Sequence, residues 1–155
     1  MRNTNIMASR YRLKLWLRDI PSGDSGVRRH EMVRKKVEIK WSSEPDEHNY
    51  SAAKSYLSLL YGESVANAYV KKLRRGSISE FKAKDIFRAS GLSLLGVSNA
   101  HVEKDQQKIE SGHALQPLLL VRDSANGKVI IADGYHRLCA IYPHDEDAIA
   151  PCKIV

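Results

Sequence analysis

"IIADGYHRLCAIY", residues 130–142, is an apolar run that breaks at Asp133-Gly134 and resumes at once as Tyr-His-Arg. The run before the break has the make-up of a strand, and Gly134 permits the positive φ of a tight turn. Leu138, Ile141 and Tyr142 then recur at the spacing of an inward helical face. A strand that turns straight into a helix leaves backbone N–H groups unpaired at the helix start, which makes the turn a candidate anion site. In that reading the amides of Tyr135, His136 and Arg137 face the bound group. Arg137 adds a planar fork suited to phosphate oxygens, and His136 adds a donor whose charge changes near neutral pH. The same spacing is also met by an ordinary turn, with Arg137 in solvent and His136 capping a neighbouring carbonyl.

Outward from this stretch, "LQPLLLVRD" and "KVIIAD" are β-rich runs joined by "SANG", a hairpin pattern, and "IAPCKIV" closes the chain as a further strand. Upstream, "SNAHVEKDQQKIESG", residues 98–112, reads as a helix with Val102 and Ile109 on one narrow stripe and a Gly stop. "SEFKAKDIFRASG" alternates like a strand at its start and ends like a helix, and is read as helical. "NYSAAKSYLSLLYG", with Ala52, Tyr56, Leu59 and Leu60, and "ESVANAYVKKLRRG", with Val65, Ala68, Tyr69 and Leu73, read as an antiparallel helical hairpin. Lys71, Lys72, Arg74 and Arg75 in its last turn suit the helix dipole, or could touch phosphates. "KKVEIKW", residues 35–41, reads as a short strand, and "PSGDSGVRRH", residues 21–30, as a linker. The fold class expected is α+β: a small mixed β-sheet with packed helices, preceded by a helical hairpin. Residues 31–155 form one domain with its core at about 80–155, after a basic arm over residues 1–30.

A chain of 155 residues with 43% apolar residues can bury one core. No apolar run approaches the roughly 18 residues of a membrane span, and the N-terminus lacks the central apolar stretch of a secretory signal, so a soluble, cytoplasmic protein is expected. Residues 1–18 are basic and acid-free, a composition shared by mitochondrial presequences and disordered arms. Cys139 and Cys152 are too few for a disulfide scaffold or a four-cysteine zinc site and read as buried thiols. The net charge of +7 is confined to residues 1–40, which hold 11 Lys+Arg against 4 Asp+Glu; the remaining residues hold 14 of each. Attraction to a polyanion such as DNA therefore belongs to residues 1–40, as a binding arm or as a solvated tail.

Two boxes resemble a known family. "SGHALQPLLLV" is similar to the Gly-x-x-x-Gln-Pro box of the ParB nucleotide-binding domain, with Gly112, Gln116 and Pro117 in register. "IADGYHRLCA" resembles that family's Gly-Glu-Arg-Arg-x-x-Ala box and the Gly-Gly-Cys-His-Arg box of sulfiredoxin. The resemblance covers roughly residues 80–155 and implies the ParB/sulfiredoxin fold, whose strand–turn–helix holds the phosphates of ATP or CTP. Gly134, Arg137 and Ala140 match both families, and His136 matches sulfiredoxin. Tyr135 stands where sulfiredoxin has its cysteine and ParB an acidic residue. A phenol cannot replace a thiolate nucleophile, so sulfiredoxin chemistry is not expected, and nucleotide hydrolysis would need Asp133 to take over the metal or the water. By the same analogy His101, Lys104 and Lys108, on one helical face, would lend polar contacts to the nucleotide; a solvated basic face is the plainer alternative. With no helix-turn-helix after Val155, a segregation-protein role is not expected.

The leading expectation is a domain binding a nucleotide or other phosphate through Gly134, Tyr135, His136, Arg137, Gln116 and Pro117, with His101, Lys104 and Lys108 in support. Asp133 and His136 are its candidate catalytic groups, and Asp133 and Glu146 its candidate Mg²⁺ ligands. The Glu146 loop "HDED" could equally be solvated. The rivals are a DNA-binding protein or nuclease of the ParB-like nuclease type, using residues 1–40, and a catalytically silent interaction module.

Overall fold

A computed structural model describes residues 37–155. The basic arm, the linker at 21–30 and the first residues of the expected strand at 35–41 lie outside the described residues. The order of elements is α1 (Glu47–Tyr61), α2 (Glu63–Arg75), β1 (Ile78–Lys82), α3 (Ala83–Ser90), α4 (Ala100–Glu110), β2 (Leu118–Asp123), β3 (Lys128–Asp133), α5 (Tyr135–Ile141) and β4 (Ile149–Ile154). This is the α+β class read from the sequence. No helix among the described residues is long and apolar enough to cross a membrane.

The four strands form one mixed sheet in the order β1-β4-β2-β3. β2 and β3 pair antiparallel as a hairpin, β4 runs parallel to β2, and β1 is antiparallel to β4. Leu118, Leu119, Leu120 and Val121 of β2 are all buried, as expected for a central strand covered on both faces. Leu118 and Leu120 join Ile131, Ala150 and Cys152 under α3, α4 and α5, where Ile86, Val102, Ile109, Leu138 and Ile141 fill the core. Leu119, Val121 and Ala132 pack on the opposite face against Tyr50, Ala53 and Leu57 of α1 and Ala66, Val70 and Leu73 of α2. The helical hairpin is thus a third layer.

α1 and α2 are joined by Gly62 alone, and the Arg74 guanidinium at the end of α2 grips the Glu47 carboxylate at the start of α1. Lys153 of β4, almost wholly buried, donates to Arg74 O at 3.3 Å and pairs with Glu44 at 2.6 Å, tying the hairpin to the sheet.

Three local expectations are corrected. The stretch 79–91 is not helical throughout, because residues 78–82 pair with β4 from Ile78↔Lys153 to Lys82↔Ile149, and the helix starts only at Ala83. The open edge of β4 decides this, and it lies about seventy residues downstream. On α1 the inward face is Tyr50, Ala53 and Leu57, while Leu59 is 82% exposed and Tyr56 and Leu60 are also exposed. On α2 it is Ala66, Val70 and Leu73, with Val65 and Ala68 outside. Ala53 and Ala66 meet the sheet through small, wholly buried side chains, while the larger Tyr56, Leu59, Leu60 and Val65 are left at the rim. Of the expected strand at 35–41, Trp41 makes a single parallel bridge to Leu115.

Candidate functional site

The topology brings four segments to one end of the sheet: the start of α1, the face of α4, residues 113–116 leading into β2, and the Asp133–Arg137 turn from β3 into α5. They enclose a cleft of about 480 Å³. Among the expected site residues, His101, Lys104, Lys108, Gln116, Asp133, Gly134, His136 and Arg137 all line it. His48, Asn49, Asp105, His113 and Ala114 complete the wall. Their convergence is tertiary. "EHNY" and "SGHA" carry no periodic mark of it, although His113 lies inside the box quoted for its Gln-Pro.

Arg137 differs most from the expectation. Its guanidinium is buried: Nη1 donates to Gln116 O at 2.7 Å and to Pro117 O at 3.2 Å, and Nη2 donates to the Asp133 carboxylate. Asn49 Nδ2 donates to the same carboxylate oxygen at 2.9 Å. Arg137 is therefore a strut between the turn and the start of β2, not a fork held out to solvent. Buried Pro117 takes part through its carbonyl. Gly134 has φ 98° and caps α5, and a Cβ there would run into Leu118 Cδ2 and approach Arg137 Nη2 to 3.2 Å. Side-chain packing, as much as any ligand, demands glycine here.

The ring of His136 stacks on that of His101 with centroids 4.9 Å apart and planes tilted by 32°. Burial pushes the His136 imidazole below its ordinary pKa, and the neighbouring His101 adds to this, partly offset by Asp105 and Asp133. The shift favours the neutral imidazole, which carries one acceptor and one donor nitrogen. On α4, Asn99 caps the first turn by accepting from His101 N and Val102 N, which fixes the helix start under the imidazole. Lys108 pairs with the largely buried Asp105 at 2.9 Å. Both carboxylates of the cleft, Asp105 and Asp133, are thus already matched by cations. Lys104 is exposed and has no ion pair among the described residues, so it is the cation left for a ligand.

Three expected residues do not line the cleft, buried Pro117 and two that lie elsewhere. The Tyr135 hydroxyl donates to Ser93 O, and its ring lines a neighbouring hollow of about 370 Å³ with Tyr56 and Leu92, on the other side of the Gly134 turn. Glu146 lies beyond the far end of α5, where it accepts from Tyr142 Oη at 3.1 Å. Asp133 and Glu146 flank α5 at opposite ends, so they do not converge on one metal ion. No group of three or more metal-ligating side chains is found among the described residues. Both thiols are buried; burial raises the Cys139 thiol and pushes that of Cys152 to about 11. Neither is a thiolate at neutral pH.

No protein-family model, curated protein or solved structure matches the chain.

Proposed function

We propose that the cleft between α4 and the Asp133–Arg137 turn binds a phosphate-bearing ligand, a nucleotide such as ATP or CTP, as a ParB/sulfiredoxin-like domain would. One observation carries this reading: Lys104, His101, His113 and His136 face a single polar cleft whose two carboxylates are already neutralised by Arg137 and Lys108. The field left over is positive, and imidazole and ammonium donors suit phosphate oxygens. At about 480 Å³ the space lies in the range of small-molecule sites. Since Asp133 and Glu146 do not form a metal pair, Mg²⁺ would enter as the nucleotide's own counter-ion. If the bound phosphate reacts, neutral His136 is the group able to take a proton at pH 7.

Calorimetric titration of ATP and CTP, with and without Mg²⁺, tests the reading. Lys104→Ala is the control, because Lys104 is exposed and has no ion pair among the described residues. Saturable binding that weakens about tenfold or more in Lys104→Ala supports the cleft, in line with loss of a charge-assisted contact. Equal affinity of the two proteins, or no binding at millimolar nucleotide, refutes it.

A further inference from the structure

We propose that this cleft cleaves RNA by internal attack of the ribose 2′-hydroxyl, with His136 as base and His101 as acid; this rests on the phosphate reading above. The stacked pair of imidazoles is the central observation. At 4.9 Å between centroids the two rings can present two imidazoles to one phosphate, one to take a proton and one to give it, the pair of groups that acid–base transfer at a phosphorus needs. His101 and Lys104 are i, i+3 on α4, so a phosphate lying on the pair also meets the ammonium.

The chemistry is narrowed by what is already engaged. Asp133 is held by Arg137 and Asn49, and Asp105 by Lys108, so neither carboxylate is free to activate water or hold an ion. A ribose 2′-hydroxyl needs neither, because the nucleophile comes with the substrate. His136 takes the 2′-hydroxyl proton and the 2′-oxygen bonds to phosphorus. The bond from phosphorus to the 5′-oxygen breaks, and His101 gives its proton to that leaving oxygen. The products are a 2′,3′-cyclic phosphate and a 5′-hydroxyl; one proton is gained by His136 and one lost by His101, and no water is consumed. Lys104 faces the non-bridging oxygens as their charge grows.

Two features outside the pair favour a polynucleotide over a free nucleotide. The hollow lined by Tyr56, Leu92 and Tyr135 shares Asp133, Gly134 and His136 with the cleft, so a neighbouring base of the strand has an aromatic wall to lie on across the Gly134 turn. The +7 charge of residues 1–40 supplies sequence-independent attraction to a phosphate backbone.

The test uses the full chain with an end-labelled oligoribonucleotide in excess EDTA, beside the same sequence carrying 2′-O-methyl groups. The expected result is cleavage to 2′,3′-cyclic phosphate ends, with the methylated strand bound but uncut. His136→Asn and His101→Asn, purified identically and checked by thermal melting, should lose about 100-fold or more in rate while still binding the methylated strand. Binding of the methylated strand without cleavage of RNA overturns the proposal and leaves the phosphate reading standing. Cleavage that EDTA abolishes, or that His136→Asn retains, also overturns it. A protein that binds neither RNA nor ATP and CTP brings down both.

Discussion

The Arg137 guanidinium reaches back over one helical turn to the Asp133 carboxylate and, with its other nitrogen, closes on the carbonyls of Gln116 and Pro117. One buried side chain therefore joins the end of β3, the start of α5 and the entry to β2, the three pieces that form the floor of the cleft.

Replacing Arg137 by Ala leaves a part-buried carboxylate, held then by Asn49 alone, and two carbonyls short of a partner. Breaking a fully buried pair from one side costs about 3–5 kcal/mol, an upper bound for this part-exposed carboxylate, so Arg137→Ala should lower the urea midpoint measurably. Lys restores the charge but not the fork, so Arg137→Lys should recover only part of the loss. Equal urea midpoints for wild type and Arg137→Ala would contradict the strut. It also follows that lost ligand affinity in an Arg137 variant reports a collapsed floor, whereas Lys104 reports the ligand.

Gly134→Ala should be nearly as damaging for a different reason. The residue sits at φ 98°, and the added methyl meets Leu118 Cδ2. The backbone term is about 1–2 kcal/mol and overpacking adds about 1–3 kcal/mol. Trimming Leu118 in a Gly134→Ala background should relieve the second term only, and thermal melts of the two single variants and the double variant separate the contributions.

Much of this floor is legible in the sequence because its signals are local. Asp-Gly after an apolar run marks the turn, and "SANG" between two β-rich runs marks the β2–β3 hairpin, with Gly127 at φ 63° in its loop. What the sequence hides depends on distant partners. Residues 78–82 become a strand because β4 offers an edge, and Tyr50, Ala53 and Leu57 face inward because the sheet lies on that side. α1 carries two apolar stripes, and periodicity alone cannot choose between them. His48 and His113 enter the cleft from segments separated by more than sixty residues, and the burial of Arg137 follows from carbonyls twenty residues upstream.

Asp147 should shape the acid limb of stability. It accepts from Lys82 at 2.9 Å and Lys84 at 2.8 Å, joining the β1–α3 junction to the loop before β4. Hydrogen bonds from Lys84 and then Lys82 hold its carboxyl down at about 2, against an ordinary 3.8. A depressed folded-state value means that the contribution is present above the ordinary carboxylate pKa and is lost as pH falls through about 2. The residue is exposed, so the effect is small. Urea midpoints measured between about pH 5 and pH 2 should fall less steeply in Asp147→Asn than in wild type. Parallel curves would show that the two ion pairs contribute nothing.

His136 gives the opposite proton linkage to folding and to binding. Its imidazole lies below the ordinary 6.5 in the folded protein, because of burial first and His101 second. The unfolded chain therefore takes up the proton more easily, and the stability this group contributes is full above about 6.5 and declines as pH falls through the folded value. A bound phosphate reverses the balance, because its charge favours the imidazolium in the cleft. Ligand affinity should rise from pH 8 to pH 6 with uptake of protons, seen as a calorimetric heat that changes with the ionisation enthalpy of the buffer. The ligand's own phosphate loses charge over that range and works against the trend, so sulfate, which does not titrate there, is the cleaner probe. His136→Gln should abolish the proton uptake while Lys104→Ala retains it. The same uptake in His136→Gln as in wild type would assign the linkage to another of the cleft's imidazoles.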